Sequence, residues 1–368
     1  MLKRIIIIVF ILAQQLAHCQ TLPYSFFIAG HTYGQPGVNN AGLHPVFVEK
    51  FDYLKSREEI KFGVLLGDIV SPGPQAHDWD EVDADIDSLG MPVYFAVGNH
   101  DMENRPLFEE RYGITYYSFI YNQDLFIILD PNIDGWNISG AQLEFLKTTL
   151  SSNYSDVDNI FVMFHQLLWW ENNNIYSGFW PNSFSGRADT INFWSTVEPL
   201  FAQLPNKIVM CAGDVGAVSW STDFMYDKFA NISFVATGMG QSDGDNFVVI
   251  NIDTDKKISY ELICLETSEL NCFGELTDYD LLSVPDDLAN GEILMYPNPA
   301  TGTVSLDCMS ADNIKRVEVF NLNGKCVLNK TYNNAVNCTF DLSGFPKGFY
   351  FVNVLSANKQ VCMSLIKQ

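Results

Sequence analysis

Apolar runs that stop on a histidine, an aspartate or an asparagine recur five times between Tyr24 and Asp214. Tyr24–Ala29 leads into Gly30-His31, and Phe62–Leu66 into Gly67-Asp68. Val93–Val97 leads into Gly98-Asn99-His100-Asp101, Ile160–Phe164 into His165, and Lys207–Ala212 into Gly213-Asp214. Short apolar runs bounded by turn residues read as buried strands. In open α/β sheets the crevice beyond the strand ends is where ligands bind. One polar strand end is an ordinary turn. Five of them predict imidazole, carboxylate and amide groups converging at a common sheet edge. That donor mix suits Mn, Fe or Zn.

Between these runs the pattern turns helical. Leu43–Leu54 carries apolar residues at helical spacing, with Pro45 tolerable in a first turn. Asp80, Glu81, Asp83, Asp85 and Asp87 read as one solvated helix face. Tyr116–Tyr121 and Leu125–Leu129 form a predicted hairpin through Asn122-Gln123-Asp124. Ser139 with Gln142 predicts a capping box opening a helix through Leu150. Ile232–Thr237, Phe247–Ile252 and Ile258–Cys264 complete the strands. Strands alternating with helices argue for an α/β sheet.

A chain of 368 residues exceeds one average domain, and its 27 Phe, 16 Tyr and 7 Trp can fill a large core. The net charge of -23 argues against a nucleic-acid backbone or an anionic membrane as partner. It also repels charged phosphates unless a metal offsets the field locally. Lys3-Arg4, the apolar stretch Ile5–Ala13 and the sequence Gln14 to Cys19 have the order of a secretory signal over residues 1–19. The stretch is too short for a membrane span of about 20 apolar residues. Cleavage is expected after Cys19, and no transmembrane segment is expected once the signal is gone. A lipid anchor on Cys19 is the alternative, which His18 fits poorly. Export permits disulfides, and the odd number of remaining cysteines leaves at least one without an intramolecular partner. Cys264 and Cys272 are close enough in sequence to bridge, and no cysteine spacing reads as a zinc site.

From about residue 22 to 264 the chain resembles the calcineurin-like metallophosphoesterase family. The resemblance rests on Ala29-Gly30-His31, Gly67-Asp68, Gly98-Asn99-His100-Asp101, His165 and Gly213-Asp214-Val215-Gly216. It implies a four-layer α-β-β-α sandwich with two metals at the strand ends, bridged by Asp68. It also implies that His100 contacts the phosphate and helps the leaving oxygen depart. The departures are as specific as the matches. Ala29 stands where the family has Asp, Asp214 and Gly216 stand where it has His, and no histidine follows His165. Carried over residue by residue, the first metal keeps only His31 and Asp68. The second keeps Asp68, Asn99 and His165, with Asp214 as a chemically suitable replacement. The expectation is an exported phosphoesterase for a phosphomono- or diester, with one well-held divalent ion. The other reading is a pseudoenzyme that keeps the sandwich as a surface binding module.

Substrate contacts are not fixed by these motifs. Tyr33, Arg105 and Arg187 are weighed as phosphate contacts against structural roles. Leu167-Leu168-Trp169-Trp170, Tyr176, Phe179, Trp180 and Phe184 either line a pocket or pack their loop down. His44 and His77 lie off the strand ends and read as structural or solvent-facing.

Residues 265–290 are acidic, without a basic residue, and read as a linker. Beyond them, short strand-like runs appear: Thr303–Leu306, Arg316–Phe320, Lys325–Asn329, Cys338–Leu342 and Gly348–Val354, with Asn323-Gly324 as a hairpin turn. A small all-β sandwich over 291–368 is predicted. From about Ile293 to the end, this tail resembles the type A sorting domain of the type IX secretion system. Tyr296-Pro297-Asn298-Pro299, Val319 to Gly324, Leu342-Ser343-Gly344 and Pro346 to Tyr350 carry the resemblance. It implies type IX machinery as a partner, passage across an outer membrane, and a secreted or surface-held product.

Overall fold

The computed structural model describes residues 22–38, 42–172, 174–241, 244–265, 293–298, 300–308, 313–321, 325–356 and 360–367. The signal segment, residues 266–290 of the linker, Cys272 and the Asn323-Gly324 turn lie outside the described residues.

In chain order the first region contains β1 (Tyr24–Ala29), α1 (Pro45–Val48), α2 (Phe51–Ser56), β2 (Ile60–Leu66), α3 (Ala76–Leu89) and β3 (Val93–Ala96). There follow α4 (Arg105–Tyr112), β4 (Tyr117–Tyr121), β5 (Asp124–Ile128), α5 (Gly140–Asn153), β6 (Asn159–Met163) and α6 (Glu198–Ala202). It closes with β7 (Lys207–Ala212), β8 (Phe224–Phe229), β9 (Ile232–Thr237), β10 (Asn246–Ile252) and β11 (Ile258–Cys264). One sheet has the order β11-β10-β1-β2-β3 and the other β4-β5-β6-β7-β9-β8. β1, β2 and β3 run parallel, as do β5, β6, β7 and β9.

The two-residue period of the strands builds the layers. Phe26, Ile28, Val64 and Leu66 of the first sheet meet Phe126, Ile128, Phe161, Met163 and Val209 of the second in one apolar cluster. The alternate residues Phe27, Ala29 and Leu65 turn the other way, onto Phe47, Leu54, Trp79 and Phe108 of α1 to α4. Likewise Ile127, Ile160 and Val162 turn onto Leu146 of α5 and Phe201 of α6. The result is the α-β-β-α order of layers. Parallel strands carry their C-terminal ends to one edge, so the ends of β1, β2, β3, β6 and β7 become neighbours.

Local readings needed correction in three places. The predicted helix over Leu43–Leu54 is two short helices, because Lys50 donates its N–H to Phe47 O at 2.9 Å, an i→i−3 bond that interrupts the ladder. Ser139 does precede α5, but no capping box forms. Gln142 is instead buried and exchanges two bonds with the Asp130 backbone, while the Ser139 hydroxyl donates to Asp134. The capping box that exists joins Gln75 and Asp78 at α3. β8, whose run Phe-Met-Tyr-Asp-Lys-Phe is broken by charges, has no counterpart among the predicted strands. The predicted hairpin forms as β4 and β5, with Asn122 and Gln123 at φ 49° and 67°, the left-handed pair a tight hairpin turn requires.

Glu198 opens α6 with 1% of its surface exposed and its Oε1 without a hydrogen-bond partner. Burial pushes its carboxyl up to about 7. An acid raised in the folded state holds its proton there after the unfolded chain has lost it. Stability therefore falls as pH rises from about 4.5 to about 7, and the penalty stays constant above that. Glu198→Gln is expected to flatten this dependence and to stabilise the protein by about 2 kcal/mol at pH 8. Urea denaturation of both proteins at pH 5 and pH 8 checks this. Equal pH dependence in the two would contradict it.

The C-terminal region is all β. β12 (Ile293–Tyr296), β13 (Thr303–Cys308), β14 (Ile314–Asn321), β15 (Cys326–Ala335), β16 (Asn337–Asp341), β17 (Gly348–Ser356) and β18 (Gln360–Lys367) form two antiparallel sheets, β12-β13-β16 and β15-β14-β17-β18. Val304, Leu306 and Phe340 of one pack against Val317, Val319, Val352 and Leu365 of the other. β12 and β18 were not among the predicted runs.

Candidate metal centre

The strand ends deliver their side chains through backbone that few residues adopt. His31 and Asp68 have φ of 52° and 48°, left-handed values that cost a non-glycine residue free energy. Gly98 is required beside them. A Cβ there would lie 2.1 Å from both the amide nitrogen and Oδ1 of Asp68. Asp101, fully buried, ties the loops together. Its Oδ1 accepts the N–H groups of Ile69 (2.8 Å) and Val70 (3.1 Å), and its Oδ2 that of Gly98 (2.7 Å). The end of β2 and the end of β3 are thereby locked together. Burial, then the Asp68 charge, pushes the Asp101 carboxyl up to about 6. Asp101→Ala strands three backbone donors and is expected to destabilise the fold by about 4 kcal/mol. Chemical denaturation checks this, and a loss below about 1 kcal/mol would contradict it.

Asp68 is the hub. Its Oδ2 lies 3.2 Å from Nε2 of His165 and 3.7 Å from Nε2 of both His31 and His100. Its Oδ1 accepts the backbone N–H of His100 at 3.0 Å. The Nδ1 of His165 donates to Leu66 O at 2.7 Å, and that of His31 to Met239 O at 3.1 Å. Anchoring Nδ1 on a carbonyl points Nε2 into the centre, the arrangement metal-ligating histidines use. One ligand atom each from Asp68, His165 and Asp214 lies within 4.8 Å of the others, and all three residues are buried. Nε2 of His165 and both carboxylate oxygens of Asp214 lack hydrogen-bond partners. Buried polar atoms are normally satisfied, so the two Asp214 oxygens, beside an imidazole nitrogen whose near neighbour is the Asp68 carboxylate, call for a shared partner.

The charges agree. Burial pushes the Asp214 carboxyl well up. The positive His165 and contacts from the Ser183 backbone and the Asn182 side chain offset this in part, without closing a bond of hydrogen-bond geometry. Burial alone would lower His165, but Asp68 and then Asp214 outweigh it and push the imidazole up to about 10. Burial would also raise Asp68, but His165, His100 and His31 together hold it well below the usual carboxylate range. His31 goes the other way. Burial drives it down to about 4, against the opposing pull of Asp68. Its Nε2 then presents a lone pair to Asp68 Oδ2. The two buried carboxylates Asp68 and Asp214 thus share one imidazolium, that of His165, and a divalent cation that displaces its Nε2 proton fits the same donors.

His31 lies outside the Asp68, His165 and Asp214 group, although it contacts Asp68. Asn99 sits between Gly98, packed on Asp68, and His100, whose amide bonds Asp68. The two departures at the first metal position are built into the packing. Ala29 is fully buried in an apolar cluster with Phe27 and Met239. Gly216 has φ of 74°, and a Cβ there would lie 2.9 Å from the carbonyl carbon of Gly238. No histidine side chain is accommodated at that position in this backbone.

The other residues weighed from the sequence have definite places. Tyr33 is buried, its ring 4.4 Å from that of His31 and 5.6 Å from that of His100. Arg105 pairs with Asp130 at 2.8 Å. The Arg187 guanidinium lies over Trp136 and Trp170 and donates to the carbonyls of Ala188 and Trp170. Leu167, Leu168, Trp169, Trp170 and Tyr176 are buried in the core of the second sheet and pack their loop down, whereas Trp180 is exposed. His44 meets Asp245 at 3.2 Å, and the His77 side chain is 72% exposed. Cys264 is disulfide-bonded.

Two mixed sheets whose parallel central strands end at a buried carboxylate–imidazole group have the layered architecture expected of a metallophosphoesterase. Residues 31–188 match the family model of the calcineurin-like phosphoesterases, and residues 294–368 match that of the secretion system C-terminal sorting domain. The first match lies in the two-sheet region and the second on the C-terminal strands. A secretion-system sorting domain at the C-terminus indicates export, to the cell surface or beyond it. No helix among the described residues is long and apolar enough to cross a membrane.

No curated protein matches the chain. Among solved structures, it is similar to a purple acid phosphatase from yellow lupin (Lupinus luteus), at 16% identity and a TM-score of 0.48. That match covers 68% of this chain and 53% of the phosphatase, so the chain spans about half the length of that relative. It is also similar to a candidate 5'-nucleotidase from Staphylococcus aureus, at 14% identity, a TM-score of 0.42, and coverage of 67% and 55%. An immunoglobulin-like β-sandwich protein from Bacteroides vulgatus covers 22% of the chain and 87% of its own, at 14% identity and a TM-score of 0.20.

Proposed function

We propose that the chain is an exported phosphoesterase that works with one well-held divalent ion. Asp68, His165 and Asp214 hold the ion, Asn99 completes the set, and His31 is a weak outer contact on Asp68. The observation that carries this reading is the pair of unpartnered Asp214 oxygens, buried with His165 Nε2 and within reach of Asp68. One imidazole and two carboxylates suit Mn, Fe or Zn. When bound, such an ion supplies Lewis acidity toward a phosphoryl oxygen and lowers the pKa of the attacking water.

The chain's own groups do the rest. His100, half-buried with Nε2 facing Asp68, is placed to give a proton to the oxygen that leaves phosphorus. Asp101 and Gly98 hold the two loops at the spacing this needs. The substrate is a phosphomono- or diester. We assign residues 1–19 to the signal, 20–264 to the phosphoesterase domain, 265–290 to the linker and 291–368 to the sorting domain. The sealed first metal position at Ala29 and Gly216 favours a second reading, a binding module without turnover. Hydrolysis of bis(p-nitrophenyl) phosphate by the Mn-loaded protein separates the two. Turnover that Asp68→Ala abolishes supports the enzyme, and turnover equal to that variant's supports the module.

A further inference from the structure

We propose that Glu103 is a positioning residue for His100. This rests on the reading of the centre as a phosphoesterase site. Three imidazoles turn Nε2 toward Asp68 Oδ2, and they differ in what holds the opposite nitrogen. His31 and His165 are anchored on backbone carbonyls. His100 alone of the three is anchored on a side-chain carboxylate, with Nδ1 3.2 Å from Oε1 of Glu103.

The carboxylate is itself held. Glu103 Oε2 accepts the N–H of Gly73 at 2.7 Å, from the loop that follows β2. The Glu103 N–H donates to His100 O at 3.1 Å, closing the short helical turn Asp101–Asn104 on which Glu103 rides. On its other flank the His100 ring meets Tyr33 nearly edge-on, at an interplanar angle of 83°. The ring is thus fixed from two sides. An acceptor at Nδ1 selects the tautomer protonated there and aims Nε2 into the centre. The sequence places Glu103 three residues after His100, a spacing at which side chains on one helical turn meet.

Two readouts test this. In protein labelled with nitrogen-15 at histidine, the neutral His100 ring should carry its hydrogen on Nδ1 in the wild type. It should approach an even mixture of tautomers in Glu103→Ala. Unchanged populations in Glu103→Ala would overturn the proposal, whether or not the wild type turns over. In the kinetic arm, Glu103→Ala should lower kcat about 10-fold at unchanged KM and metal content. In a His100→Ala background, removing Glu103 should cost nothing more. An equal loss in that background, or a loss confined to KM, would overturn the proposal. A wild type with no turnover contradicts the phosphoesterase reading instead, and leaves the ring readout to decide the role of Glu103.

Discussion

Asp68→Asn is expected to weaken divalent-metal binding by more than about 100-fold, the loss that outer groups around a metal already cause. The substitution keeps the size of the side chain and an oxygen to accept the His100 N–H. What it removes is the negative charge that three imidazole Nε2 atoms face at 3.2 to 3.7 Å. Without that charge Asp214 is the one ionisable carboxyl left in the ligand group, and burial already pushes it toward its neutral form. A neutral carboxyl and an amide are poor ligands for a divalent cation. Equilibrium dialysis against Mn with metal analysis gives both affinities. Binding within about threefold of wild type would remove Asp68 from the centre.

His100→Ala is expected to lower kcat by about 10²- to 10⁴-fold while leaving the metal content as it was. The imidazole is not part of the buried Asp68, His165 and Asp214 group, and its side chain remains 23% exposed. The loss should be largest for esters with poor leaving groups, which need a proton most. A phenolate such as p-nitrophenolate leaves well without one and should show a smaller loss. A variant that loses metal together with activity would show that His100 holds the ion rather than the proton. Activity retained within about threefold would exclude it as the acid.

Much of this architecture is legible in the residues because two signals coincide. Apolar runs such as Phe62–Leu66 are short enough to be strands, and each leads into a polar residue at the sheet edge. Convergence of His31, Asp68, His100, His165 and Asp214 follows once those strands are parallel, because parallel strands share one C-terminal edge. The signals that failed were short-range. Ser139 and Gln142 have capping-box spacing, yet Gln142 finds the Asp130 backbone, a partner the local sequence cannot announce. β8 carries Asp227 and Lys228 in an alternation too irregular to stand out. Asp101 was visible as part of a motif, but its three bonds reach residues more than 30 positions back as well as Gly98. The reason a histidine is missing at Gly216 was also hidden. Its positive φ and the nearby Gly238 backbone exist only in three dimensions.

The central claim is that one buried carboxylate–imidazole group grips one ion. Metal stoichiometry of the purified protein after Mn or Zn loading and gel filtration tests this most directly. The account predicts about one equivalent per chain, lost on Asp214→Ala. Less than about a tenth of an equivalent, or two equivalents held equally well, would contradict it.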